Sequence, residues 1–449
     1  MTGNCNRWLV ALAAANLALQ GTNFGTFWKS ATYIGMLVLL PFALRDARSR
    51  AELSVPLPPR SILAPLVLWL AWSGLTWFWS IDPAYTRAEL KVELVDLAFF
   101  MAVFYVVPYS TSAWRTIIGS SLFAFALLGV LAVALASLSS GWFNADRFHG
   151  GIGPYSTYLV QTAPLLLWLV VPAPEGFGGR ARTWIALGAI TLILIADARL
   201  TNNRIVWFAL LLALVLIPAL CAWRWRSAAR RAGWRWLVPI LGVTLLLSLG
   251  FADTLRKRTE LNYSPSTPVS EALAEDPRLP LWSRTWEKIM ERPLAGYGAG
   301  KKILAPELRR ELGDPLLTHA HNVFISQWVQ KGAVGVAAFA ALLLAVIVQF
   351  VKFFRSRDDV VALVGITGLA IIAAMIVKNL TDDFLYGAYG RQFLCLLSLL
   401  LGYGMRREHA AGAAGAAGRN STATSIAAPH AAPGRRVTCA SVPAEEVAR

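Results

Sequence analysis

The sequence predicts an all-α polytopic membrane protein with about twelve transmembrane helices and one long extracytoplasmic loop. Three observations predict it. The first is composition: 56% of the 449 residues are hydrophobic and only 15% are charged, with a mean hydropathy of +0.52. A soluble globular chain is roughly a quarter charged, and a soluble core could not hide this much apolar surface. The second is a succession of apolar runs near the length of about 20 residues that a bilayer demands. The third is the pattern of arginine and lysine in the short loops between those runs.

The spans are expected at 7–22, 28–44, 61–79, 92–108, 115–138, 155–173, 183–198, 204–222, 235–252, 322–351, 360–378 and 384–404. The first carries Asn16 and Gln20, and the sixth and seventh are short. No small-residue cleavage site follows the first apolar stretch, so it is read as a retained helix. Many of the 18 tryptophans sit near the ends of the runs, at the depth that suits an amphipathic ring.

Loop charge tests the count independently. Arg45, Arg48, Arg50 and Arg60 fall between spans two and three, and Arg180 and Arg182 between six and seven. Arg224, Arg226, Arg230, Arg231 and Arg235 fall between eight and nine. Lys352, Arg355 and Arg357 fall between ten and eleven, and Arg406 and Arg407 follow the last span. Twelve spans put all of these on one side, which the positive-inside rule makes cytoplasmic, with both termini inside. An error of one helix would scramble the alternation.

The other side carries the long segment 253–320, whose many basic residues do not contradict the rule, because long loops cross regardless of charge. Within it Leu281, Trp282, Trp286, Ile289 and Met290 recur at helical spacing. This helix is expected on the membrane surface or against the bundle. Pro293 ends it, and Leu294–Gly300 reads as a turn-rich loop. From 408 onward the chain is rich in Ala, Gly, Ser, Thr and Pro and cannot bury enough apolar surface to order itself. The expected organisation is one membrane domain, 1–407, containing the loop 253–320, and a disordered cytoplasmic tail, 408–449.

The net charge of +16 is accounted for largely by these loops, and no aromatic-basic groove points to nucleic acid. Cys5, Cys221, Cys395 and Cys439 have neither metal-ligand spacing nor an expected extracytoplasmic position, which argues against disulfides. No Walker-type phosphate loop is present, so ATP is not the expected energy source, and neither a metal nor a cofactor is expected.

The residues able to carry chemistry gather on the extracytoplasmic side. His321-Asn322 is followed by nine residues, Gly332, two residues and Gly335, where the long loop turns into a membrane helix. The partial positive charge of a helix start disfavours imidazolium, leaving His321 neutral and able to take a proton. The same end attracts phosphate, and the glycines let another helix approach. The competing reading is a surface histidine with glycines that serve packing alone. His319 is a second candidate base; on a helix it would face away from His321. His319 and His321 could also chelate a metal, but a third ligand is missing.

Arg204 opens span eight, Arg147 precedes span six and Arg284 lies on the loop helix. Arginine at a membrane boundary is costly unless paired, snorkelling or functional, and it grips phosphate bidentately. Asp382 and Asp383 precede the last span; pairing with Lys378, Arg391 or loop arginines is favoured over a metal site for pyrophosphate.

These features resemble the O-antigen ligase family, within the O-antigen ligase and polymerase superfamily of membrane glycosyltransferases. The resemblance rests on His321-Asn322-x9-Gly332-x-x-Gly335, on Arg284-Thr285-Trp286, and on Pro293-Leu-Ala-Gly-Tyr-Gly298 before the histidines. The number of spans and the long loop before span ten agree with it. One departure is Phe208, where ligases often have leucine four residues after the arginine that opens span eight. The resemblance implies a GT-C-like fold in the bacterial inner membrane with its active site on the periplasmic side. It implies transfer of a polysaccharide from undecaprenyl pyrophosphate to a sugar hydroxyl of lipid A–core, with inversion and without metal or ATP. His321 would be the base, Arg204 and Arg284 would hold the pyrophosphate, and Arg147, Asn322 and His319 would bind substrate. The nearest rivals are an O-antigen polymerase and a protein O-oligosaccharyltransferase. A lipid-linked sugar flippase is the rival of a different class, but transporters place polar residues near mid-membrane, whereas here they crowd one interface.

Overall fold

The computed structural model describes residues 3–22, 26–49, 56–138, 151–172, 175–178, 181–226, 244–254, 256, 278–313, 318–385 and 387–426. All regular structure among them is helical, apart from one isolated bridge between Pro172 and Gly178. The helices are α1 (Gly3–Gln20), α2 (Thr26–Ser49), α3 (Arg60–Leu75), α4 (Pro83–Leu90), α5 (Leu97–Val106), α6 (Thr111–Leu138) and α7 (Ile152–Thr162). They continue as α8 (Ala181–Leu200), α9 (Arg204–Arg224), α10 (Thr244–Thr254), α11 (Arg278–Glu291), α12 (Ala305–Leu312), α13 (Val323–Phe354), α14 (Asp359–Lys378) and α15 (Gly387–Ile426).

Seven of the described helices are long and apolar enough to cross a membrane: α2, α3 with its following turn, α6, α8, α9, α13 and α14. The remaining expected spans differ in instructive ways. In α1, Asn16 and Gln20 are buried and joined in one chain, Gln20 donating to Asn16 (2.8 Å) and Asn16 to Thr32 of α2 (2.9 Å). The run 92–108 begins in a π-helical stretch, Lys91–Asp96, before α5. The run 155–173 is divided by a 3₁₀ turn, Ala163–Leu166, that contains Pro164. The span at 235–252 lies partly outside the described residues.

The chain divides into two compact units, Met1–Glu408 and His409–Arg449. In the second unit the described residues, as far as Ile426, are helical, so the tail expected from 408 begins as helix. Alanine, the best helix former, dominates that stretch.

Within the first unit α13 packs along α3 and α14, and α14 along α9. Two sets of helix ends gather at opposite poles. At one pole Arg224 donates to the Ser356 carbonyl (2.7 Å), and Arg407 pairs with Asp358 and Glu175 (both 2.9 Å). At the other lie the ends of α3, α8 and α14, the starts of α7, α9 and α13, and the segment 278–313. A small apolar core of Leu281, Ile289, Tyr297, Ile303, Leu304 and Leu308 closes on Val329 of α13. Helix α11 therefore packs onto the bundle, with Trp286 edge-to-face on Trp328 at 5.6 Å.

Candidate active site

The site is built where α13 begins. Asn322 is its N-cap, accepting from the backbone N–H of Phe324 (3.0 Å) and Ile325 (3.2 Å), which satisfies donors that a helix start leaves open. Its amide also donates to the Leu380 carbonyl (2.9 Å), and Val323 N–H donates to the Asn379 carbonyl (3.0 Å). The start of α13 is thus fastened to the turn that follows α14. Asn379 orders that turn by accepting from Phe384 N–H at 2.7 Å.

The turn presents two buried carboxylates, Asp382 and Asp383. Asp382 pairs with the buried Lys378, accepts from Asn203 (3.3 Å) and lies 4.0 Å from Arg278. Asn203 is the N-cap of α9 and also reaches Ser156 of α7 (3.3 Å). Directly or through Asn203, this carboxylate joins elements from four parts of the sequence. Lys301 donates to the Asp383 carbonyl and stands 5.0 Å over the Phe384 ring.

The histidines enter this setting from the loop before α13. His321 adopts a left-handed backbone, φ 48°, a conformation uncommon outside glycine, though enriched for His, Asn and Asp. Trp282 of α11 holds the loop by donating to the Ala320 carbonyl (2.6 Å). The imidazole rings of His319 and His321 lie with centroids 4.0 Å apart, tilted by 34°. The expectation that they face apart fails because neither is on a helix: the turn at His321 brings together what i,i+2 helical spacing would separate.

Burial drives the His319 imidazole down to about 2, and Lys301 and His321 add to it. His321 is also held below the ordinary histidine value, first by burial, then by Arg278 and Lys301, while Asp382 and Asp383 oppose the shift. A buried cationic ring loses its hydration, so the neutral form is favoured. Burial is thus the main cause that favours a neutral ring at His321.

Gly332 has a different part from the one its motif suggests. It does not let a second helix approach; it breaks α13, with φ 66° and ψ −172°. The loop Pro293–Gly300 seats against the break. Tyr297 N–H donates to the Val329 carbonyl (2.9 Å), Gly298 N–H to Gln330 (3.0 Å), and Ala333 N–H to Pro293 (2.8 Å). A Cβ on Gly332 would lie 2.0 Å from the Leu294 carbonyl oxygen. The two glycine-bearing motifs are thus the two sides of one joint. Gly335 does admit a helix: a Cβ there would lie 3.3 Å from Trp72 of α3.

The arginines are distributed unequally. Arg284 donates to Glu287 and, at 2.5 Å, to Glu311, linking α11 to α12. These hydrogen bonds raise its already high pKa. Arg204 is half-buried at the first position of α9, beside Asn203. Arg147 lies outside the described residues. The cations whose charge acts on the histidines are Arg278, Lys301 and, on His319 alone, Lys302, which the motifs do not single out. Lys301 follows the glycine-rich loop directly, and that adjacency was the available signal; Arg278 has none. Asp382 pairs with Lys378 and Arg278, in line with the favoured reading, whereas Arg391 lies 5.0 Å over the Phe100 ring. Among the described residues no group of three or more His, Cys, Asp or Glu side chains is arranged to hold a metal.

Residues 189–340 match the family described as O-antigen ligase. This segment belongs to the O-antigen ligase family. The O-antigen ligase segment contains Arg204, Arg284, both histidines, Asn322 and the joint at Gly332, and stops short of Asp382. With the apolar helices around it, it marks a multi-pass membrane protein of the O-antigen ligase and polymerase type, a glycosyltransferase-like enzyme. Lipid-linked glycan donors and lipid acceptors are the general substrates of such enzymes. No curated protein matches the chain.

Proposed function

We propose that this protein is an O-antigen ligase of the bacterial inner membrane. It takes a polysaccharide from undecaprenyl pyrophosphate and joins it to a sugar hydroxyl of lipid A–core on the periplasmic side. The observation that carries the reading is a half-buried His321, set beside Arg278 and Lys301 at the start of a long apolar helix, where burial disfavours the charged ring.

His321 removes the proton from the acceptor hydroxyl as that oxygen attacks the anomeric carbon. The bond to the pyrophosphate lipid breaks on the opposite face, so configuration inverts. Leaving pyrophosphate develops negative charge, and cations fixed around it stabilise the transition state. Arg204 and Arg284 take that part by family resemblance, with Arg147 as a further contributor. Arg278 and Lys301 add positive charge beside the base itself. Asn322 holds the helix start against the Leu380 turn, and His319 packs on the base and fixes its ring. The energy comes from the donor's own glycosyl–pyrophosphate bond, without metal or ATP.

Twelve spans with both termini cytoplasmic suit this chemistry, because the pole that holds the histidines then faces the periplasm. The opposed clustering of helix ends supports that arrangement. The tail after 408 has no part in the reaction.

The deciding experiment supplies purified protein with a lipid-linked glycan and one of two acceptors, lipid A–core or a second lipid-linked glycan. Product on lipid A–core is expected. Product on the second acceptor alone makes the protein a polymerase and overturns the ligase reading.

A further inference from the structure

The segment from α4 through the π-helical stretch carries charges in strict alternation: Arg87, Glu89, Lys91, Glu93. Residues four apart share a helix face and residues two apart do not. The fold uses this spacing to sort sign. Glu93 turns inward and holds the fully buried Lys331, with oxygens at 2.9 and 3.0 Å. Glu89 also turns inward, against Tyr85 and Gly300. Arg87 and Lys91 point outward and are exposed, and among the described residues neither has an acidic partner. They border an open groove whose remaining lining includes Ala84, Ala88, Leu94 and Val95.

The surroundings are those of a membrane boundary. The 3₁₀ turn that ends α3 exposes Phe78 (75%), and Ile81 (47%) follows it. Buried cations are costly, but exposed ones beside apolar surface match a molecule with an anionic head and a hydrocarbon body. The groove is also rigidly coupled to the candidate site. Ile81 N–H donates to the Tyr297 carbonyl (3.0 Å), Thr86 to the Ala299 carbonyl (2.9 Å), and Lys302 N–H to the Tyr85 hydroxyl (3.0 Å). The same loop carries Lys301, which faces the histidines.

We infer that this groove docks the acceptor lipid through one of its phosphate groups, held by Arg87 and Lys91, with an acyl chain along Ala84, Ala88, Leu94 and Val95. Charge complementarity selects the occupant: among its described lining residues the groove offers two cations and no acid, so it suits a phosphorylated lipid rather than a neutral or zwitterionic one. Its fixed connection to the Lys301 loop suits a substrate that must be held in register with His321. The inference rests on the ligase reading for the identity of the acceptor.

The test uses the full-length protein in nanodiscs of zwitterionic lipid. Transfer to phosphorylated lipid A–core is compared with transfer to the same acceptor after phosphatase treatment. Arg87→Gln with Lys91→Gln is expected to raise the apparent KM for the phosphorylated acceptor by about tenfold or more, the scale of a lost charge-assisted contact. The KM for donor holds, and Arg87→Lys with Lys91→Arg restores the acceptor KM. Dephosphorylated acceptor already shows the raised KM with the unaltered protein. An unchanged acceptor KM in the double variant overturns the inference, as does an equal rise for both acceptors. Displacement of bound acceptor by an equimolar amount of phosphatidylglycerol, read by native mass spectrometry, overturns it too, because the groove would then be a general headgroup site. If the unaltered protein makes no product on lipid A–core, the ligase reading fails. Binding of phosphorylated lipid A, read by the same mass measurement in the two forms of the protein, then decides the groove separately.

Discussion

His319 and His321 pack with ring centroids 4.0 Å apart, two residues apart in sequence and on no helix. Two imidazoles this close do not both carry charge readily, and burial lowers both. As the proposed base, His321 is therefore expected to stay neutral on the acid side of the ordinary histidine range. The rate of transfer should hold as pH falls past 6.5 and decline only as His321 becomes protonated at its lowered pKa. Arg278→Gln removes a cation that depresses that pKa, so the acidic limb should move to higher pH. A pH profile of kcat/KM checks both statements, and a limb that stays put in the variant refutes the second.

His321→Ala should abolish transfer, a loss of the order of 10²–10⁴-fold for a missing general base, at unchanged protein abundance. A rate near that of the unaltered protein removes the residue from the mechanism.

Arg284 presents a sharper case because Glu287 and Glu311 already engage it. As a pyrophosphate contact, it should be required in its own right: Arg284→Ala loses transfer by roughly 10²–10³-fold. Glu311→Gln, which removes the partner and spares the guanidinium, should keep most of the rate. Equal losses in the two variants would mean that Arg284 only fastens α11 to α12.

Gly332→Ala should fail to form the joint. The backbone there belongs to a region that costs other residues about 1–3 kcal/mol, and a Cβ would meet the Leu294 carbonyl oxygen at 2.0 Å. Loss of thermal stability in detergent and loss of transfer are expected together. Retention of both would mean that α13 can run straight.

Lys331 is fully buried between Glu93 and the Trp69 ring, 4.5 Å away. Removing one partner of a buried pair costs about 3–5 kcal/mol, whereas replacing both with apolar groups is close to neutral. Glu93→Gln should therefore lower the melting temperature strongly, and Glu93→Leu with Lys331→Met should recover most of it. A double variant as unstable as the single one contradicts this account.

Composition made the helical class legible, because no soluble packing accommodates so many apolar residues. The long spans with uniform hydropathy, α6, α9, α13 and α14, read directly from their periodicity and length. Runs 92–108 and 155–173 read as uninterrupted helices, since a π-helical stretch or a 3₁₀ turn leaves the hydropathy unchanged. At the site, Asn322 and His321 were legible through their spacing to Gly332. The meeting of His319 with His321 was not, because it depends on a left-handed φ that no local signal announces. Arg278 and Lys301 were hidden for another reason: what distinguishes them is the fold's placement of Asp382 and Asp383 nearby, 80 or more residues later in the chain.

The break in α13 has a consequence for assembly. Carbonyl oxygens of Val329, Gln330 and Lys331 receive their hydrogen bonds from Tyr297, Gly298 and the Trp72 indole, none of which belongs to α13. Hydrocarbon offers no substitute donors, so an isolated α13 cannot hold this bend inside a bilayer. The bend is completed only when α3, made early, and the loop, made just before α13, are both in position. The joint beneath the candidate site therefore forms only after three separately made segments have met, and a product with α3 misinserted lacks it.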